Sequence, residues 1–330
     1  MSELTTLSDQ LTDEEWLTEL EQVGQANGYF ESIGNQHAAL FIDESLETLI
    51  VSFDTVASAR AGSAEGLPHA AVHAEEQGHS LLSLIAKGPT WFRDPAVYAY
   101  FDRLVDDAFF EDFDRIIFYG AGMCGYAAAA FSVAAPGATV IAVAPQATLD
   151  PAVALWDDRF VGLRRTDFTS RYGYAPEMLE AADKAYIVYD PTVELDAMHA
   201  ALFRGPQVAH IRYRHGGIHI GADLQAMDIW GELFSRAAEG TLSEADFHSA
   251  LRRRRDHLPY LRNLLNRVHI EDRDWLVALL CRAVLRTHDA PRFRHHLELS
   301  EHKLSIEGRQ LPPQRKRRSA AHRLPELRSS

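Results

Sequence analysis

The sequence predicts an α/β fold: a mostly parallel sheet flanked by helices, followed by an all-helical C-terminal appendage. Two observations carry this. Between residues 114 and 213 the Val/Ile-rich runs "DRIIFYG", "TVIAVAPQ", "KAYIVYDP" and "QVAHIRY" alternate with helical segments, as in a sheet covered on both faces. From Ser243 onward only helical patterning remains, with Phe247, Leu251, Leu258, Leu261, Leu265 and Val268 spaced for one stripe.

Taken in order, "LTDEEWLTELEQVGQANGYF" opens on a capping-type Thr12 and reads as a helix that ends near Gly24 to Gly28. "AALFIDES", "TLIVSFDTV" and "SLLSLIAKG" read as strands separated by polar loops. "GYAAAAFSVAA" is an alanine-rich helix stopped by Pro136 and Gly137, which makes a strand-helix-strand crossover. Further helices are expected from about Pro176 to Ala182 and around "DAMHAALF". Pro259 is expected to kink or divide the first appendage helix, and "DWLVALLCRAVLR" is a second. The divisions are residues 1–239 for the sheet domain, 240–303 for the appendage and 304–330 for a basic tail expected to be disordered. No internal repeat is present.

The chain has 330 residues, 46% of them hydrophobic, enough for one large core. No apolar run approaches the ~20 residues of a membrane span, and the acidic start lacks a secretory signal, so a cytoplasmic location is expected. Cys124 and Cys281 are the only cysteines, which excludes a disulfide framework and a thiolate zinc cluster. The net charge of -14 opposes nucleic-acid binding by the body of the protein. Residues 304–330 hold seven Arg or Lys against two Glu, a net +5, which leaves -19 for the rest.

"YGAGMCGY", residues 119–126, admits two readings. Gly120, Gly122 and Gly125 spell G-x-G-x-x-G, the dinucleotide fingerprint, between a strand and a helix. That reading wants an acid at the end of the next strand, where Pro145 and Gln146 stand instead. The same residues fit a nucleophile elbow centred on Gly122, with small residues two before and two after it, Gly120 and Cys124.

On that second pattern, "GAGMCGY" resembles the G-x-S-M-G-G-Y variants of the α/β-hydrolase superfamily, with the serine replaced by glycine. The resemblance extends roughly from residue 38 to residue 236. It implies an acid after a later strand, at Asp190 or Asp196 in "KAYIVYDPTVELD", and a histidine after the last strand, at His219 in "RHGGIHIG". Asp190 also suits a turn before Pro191, and Asp196 a helix cap.

Without a serine the acyl-enzyme route is closed. Cys124 is an alternative nucleophile at a helix N-terminus, although an elbow centred on it places Tyr126 where a small residue is required. The backbone N–H groups of Met123 to Gly125 offer an anion site in either case. His69, His73 and His79 near Glu75 and Glu76 superficially suggest metal ligands, but read as a solvated loop. Phe168, Arg171, Tyr172 and Tyr174 line a pocket or seal the sheet edge. The run Arg252 to Arg255, expected within a helix, suits contact with the acidic body or an acidic partner.

The chain is also similar to bacterial proteins often labelled phosphoadenosine phosphosulfate reductases, around "YGAGMCGYAAAAFSVAAPGA" and "FTSRYGYAP". The reductase family's S-G-G-x-D-S-like loop and E-C-G-[IL]-H segment are absent. The expectation is a catalytically degenerate hydrolase-like protein without cofactor or metal. What the hydrolase resemblance implies for it is binding of a small acyl or glycan-linked metabolite, or of a protein partner. A thiol-dependent ester hydrolase using Cys124 and a nucleotide-dependent reductase are the alternatives.

Overall fold

The computed structural model describes Leu7 and residues 10–313. The chain divides into two compact units, one ending at Arg252 and one beginning at Arg253.

The first unit is built on eight strands: β1 (Gly28–Ile33), β2 (His37–Ile42), β3 (Thr48–Thr55), β4 (Ser80–Ala86), β5 (Arg115–Ala121), β6 (Thr139–Val143), β7 (Lys184–Tyr189) and β8 (Val208–Arg212). Their spatial order is β1-β2-β4-β3-β5-β6-β7-β8. β2 runs antiparallel to both its neighbours, and every other pairing is parallel. The mostly parallel sheet therefore stands as expected. β1 is an addition to the sequence reading, because the capping box of Thr12 and Glu15 starts a helix (Asp13–Asn27) that passes into β1 without a loop. A helix over Pro95–Asp106, capped by Asp94, is a second addition.

Alternating residues of the central strands divide the core in two. Leu49, Val51, Phe53, Phe118, Val140 and Ala142 are buried in one cluster with the elbow helix (Met123–Phe131). Within it Phe101 and Phe131 stack at 4.5 Å, and Phe53 lies 5.7 Å from Phe131. On the other face Tyr119 meets Trp230 and Phe234 of the helix Trp230–Ala238 at 4.8 and 5.2 Å. Every residue of the elbow helix from Cys124 to Phe131 is buried, which explains its alanines: larger side chains have no room between sheet and neighbours.

Residues 240–252 remain with this unit. The Tyr186 hydroxyl donates to the Leu242 carbonyl at 2.5 Å, and its ring meets Phe247 at 4.9 Å. Leu251–Arg255 form a 3-10 turn rather than the expected α-helix. The second unit contains helices Leu258–Ile270, Asp274–Val284 and Pro291–Ile306. The expected division of the stripe is present: one helix ends at Ala250, and Pro259 lies in the first turn of the next, where a residue has no intrahelical N–H bond to lose. Arg282 and Glu301 tie the second helix to the third at 2.7 Å. Residues 314–330, most of the basic tail, lie outside the described residues.

Gly120 is the tightest point of the main unit, because a Cβ there would stand 2.2 Å from the Cys124 carbonyl oxygen. Gly120→Ala is accordingly expected to lower unfolding stability by about 3 kcal/mol or more, measured by denaturant titration.

Candidate functional site

The site stands at the carboxyl edge of the sheet, where β5 turns into the elbow helix. Gly122 has φ 60° and ψ -123°, a conformation that strains any residue with a side chain. Its N–H donates to the Val143 carbonyl at 2.8 Å, and its own carbonyl accepts the Tyr126 N–H at 3.0 Å. Gly120 permits the turn by its approach to Cys124, and Gly125 by lying 3.0 Å, measured from an added Cβ, from the Val143 oxygen. At Gly122 an added Cβ meets no atom within 4 Å. Packing thus requires glycine at 120 and 125, whereas the apex is open.

The surrounding loops come from the ends of β3, β4, β7 and β8. The Met123 sulfur accepts the Trp91 N–H at 3.1 Å. Trp91 and Phe92 both have positive φ, 51° and 54°, strain that bulky residues hold only when neighbours fix them. Here the fixing contacts are Met123, the Thr90 hydroxyl on the Phe92 N–H, and Arg93, which donates to the Asp167 and Arg171 carbonyls.

Asp190, directly after β7, is fully buried and accepts three hydrogen bonds. One carboxylate oxygen accepts the Thr192 N–H and hydroxyl, each at 2.8 Å, and the other accepts the Gly217 N–H at 2.8 Å. The acid therefore holds the loop after β8 through its backbone. That loop reaches the elbow: a Cβ on Gly221 would stand 3.0 Å from the Ala121 Cβ. His219, two residues earlier, is exposed, and among the described residues its ring has no hydrogen bond or ion pair with Asp190 or Asp196.

Asp196 is engaged elsewhere. It lies in the first turn of the helix Glu194–Ala200, inside rather than capping it, and pairs with Arg159 at 2.6 Å. Arg159 also holds Asp157, whose carboxylate accepts the His199 Nε2–H at 2.9 Å, while His199 Nδ1 accepts the Ala147 N–H at 3.2 Å. Both imidazole nitrogens are thus occupied in a buried clamp, and burial holds His199 below its ordinary value. Nothing in the sequence signalled this network, since its partners are 42 and 37 residues apart.

Cys124 is 5% exposed, and burial pushes its thiol well up, with the neighbouring Asp54 adding to the effect. A thiol so held is a poor nucleophile at neutral pH. Phe168 and Tyr172 are buried against Tyr126 and Phe131, and Arg171 pairs with Asp102, so this aromatic group seals the sheet. The helix His69–Gln77 replaces the loop expected over the histidines, and His73 within it is buried.

The strand order, the single antiparallel strand inside the sheet, the left-handed turn after β5 and the acid after β7 together decide the architecture. It is that of the α/β hydrolases. No protein-family model matches the chain, and no curated protein matches its sequence. Similar solved structures include an esterase of Pyrobaculum calidifontis, at 12% identity and TM-score 0.40, covering 72% of this chain and 96% of that one. The Streptococcus agalactiae Glycosylation Associate Protein (Gap123) complex matches at 18% identity and TM-score 0.41, covering 60% of this chain and 45% of that one, less than half its length. The fluorophosphonate-binding serine hydrolase FphF of Staphylococcus aureus matches at 12% identity and TM-score 0.39, covering 59% and 92%. Likenesses this loose carry no weight of their own; the α/β-hydrolase architecture rests on the chain's topology and elbow.

Asp54, at the end of β3, is the site residue that sequence reasoning missed. Extending the β3–β5 register by two residues sets it opposite Ala121. Burial, only partly offset by the Ser58 and Ser52 hydroxyls, pushes its carboxyl up to about 7. An unfolded aspartate ionises near its ordinary value of about 4. The folded state keeps the proton longer, so this group's stability contribution is full below pH ~4, declines from there to about pH 7, and is level above. Asp54→Asn is expected to remove that decline, by roughly 4 kcal/mol at most, in the difference between variant and wild-type unfolding free energies from pH 4 to 8.

Proposed function

We propose that this chain is a catalytically degenerate α/β-hydrolase-like protein, a ligand- or partner-binding protein rather than a serine hydrolase. The observation that carries the reading is Gly122 at the apex of the elbow. A side chain there would meet open space, yet the residue has no atom with which to attack a carbonyl. Three further observations support it: the Cys124 thiol is buried and pushed up, Asp190 is engaged by Thr192 and Gly217, and His219 is paired with neither aspartate. A triad works only when acid, imidazole and nucleophile are joined in one hydrogen-bonded chain.

The ligand class consistent with the resemblance is a small acyl or glycan-linked metabolite, with a protein partner as the other occupant. The N–H groups at the start of the elbow helix, beside Gly122 and Met123, are the groups that would meet an anionic or carbonyl oxygen.

The wild-type protein is expected to resist labelling by a fluorophosphonate probe and to hydrolyse p-nitrophenyl acetate no faster than background. Gly122→Ser is expected to cost roughly 1–3 kcal/mol of stability through its positive φ and to remain slow, because His219 has no acid partner. Wild-type ester turnover abolished by Cys124→Ala would overturn the reading in favour of a thiol hydrolase.

A further inference from the structure

The histidines of the helix His69–Gln77 take no part in the elbow site. His69 and His73 are four residues apart and so share one face of the helix. Their Nε2 atoms are 3.3 Å apart, with the ring planes at 89°.

The other two nitrogens fix the tautomers. His69 Nδ1 lies 3.0 Å from the Gly62 carbonyl oxygen, which can only accept, so that nitrogen carries the hydrogen. His73 Nδ1 lies 3.3 Å from the Glu76 carboxylate, again an acceptor. A neutral imidazole has one N–H. Both Nε2 atoms therefore present lone pairs to each other, an arrangement that is repulsive unless a cation lies between them. A proton on one ring satisfies this, and so does a metal ion held by both.

The separation also has the size of a metal bite. Two zinc–nitrogen bonds of about 2.0–2.1 Å at a tetrahedral angle set the nitrogens roughly 3.3–3.4 Å apart. The spacing is the i, i+4 arrangement by which helical histidines hold zinc. We propose that His69 and His73 bind one divalent transition metal through their Nε2 atoms, with the Gly62 carbonyl and the Glu76 carboxylate orienting the rings. Hydrogen-bonded partners of this kind are the usual outer support of ligating histidines. Paired imidazoles suit Zn²⁺, Cu²⁺ or Ni²⁺.

No group of three His, Cys, Asp or Glu able to hold a metal is present among the described residues, so water or an exogenous ligand completes the coordination. The helix connects the parallel strands β3 and β4 and runs back along the sheet, so His69, its first residue, stands at the same carboxyl edge as the elbow.

The test uses untagged full-length protein stripped with chelator and titrated with Co²⁺, followed by visible absorption, and then with Zn²⁺ by calorimetry. One equivalent is expected to bind. His69→Ala abolishes that binding, and Glu76→Gln weakens it about 10-fold. His73 is buried and its replacement disturbs the helix, so the half-exposed His69 provides the decisive variant, its folding verified by circular dichroism. Failure to bind one equivalent of either ion overturns the proposal. So does binding that survives in folded His69→Ala, which would place the ion elsewhere, for instance at His269, His295 and His296 on the helical unit.

Discussion

The approach of Gly120 to the carbonyl of Cys124 joins the central strand to the elbow helix, and both the sheet and the site depend on it. With no Cβ at 120 the helix folds back onto β5 within three residues. The Gly122 N–H then reaches the Val143 carbonyl of β6, and Gly125 slides beneath the same carbonyl. The alanines that follow allow the helix to lie flat on the sheet between Phe118 and Phe131. These constraints concern packing and are indifferent to chemistry. The apex is the exception, since nothing packs over Gly122, and its glycine answers to no steric demand except the sign of φ.

The buried acids of this unit are held in different ways. Asp190 has four acceptor directions and fills three of them with Thr192 and Gly217, so the carboxylate organises backbone rather than an imidazole. Asp196 and Asp157 share the Arg159 guanidinium, and the neutral His199 donates to Asp157, in a clamp that joins residues 157–159 to the helix after β7. Asp54 retains its proton up to about pH 7, which limits the charge buried beside Cys124. Asp190, Asp196 and Asp157 are thus engaged by protein partners, whereas Asp54 is held mainly by burial.

Much of this was legible in the sequence. Strands β2 to β7 announced themselves as largely apolar runs bounded by polar or Gly residues, β8 by its place in the alternation, and the elbow as one of two readings of its glycine spacing. β1 was hidden: "GYFESI" is half-exposed and follows a helix with no turn signal between them. The orienting acid was legible only as a pair of candidates, since Asp190 and Asp196 both follow β7, and what separates them is Arg159, 37 residues upstream of Asp196. Asp54 was missed because an aspartate ending a strand before Thr55 and Ser58 reads as a helix cap. Its burial depends on its orientation toward Tyr119 and Cys124, which no local pattern encodes.

The glycine loop itself shows why two motif readings of one string are separated by backbone rather than by letters. A dinucleotide loop needs its glycines so that a pyrophosphate can approach the backbone, which demands open space at several of them. Here the outer two, Gly120 and Gly125, have their space filled by protein carbonyls, and only the middle one faces outward. A single open position at a strained apex is the geometry of an elbow that presents one group. In this chain the group presented is a hydrogen atom, and the elbow's apex offers backbone without a side-chain nucleophile.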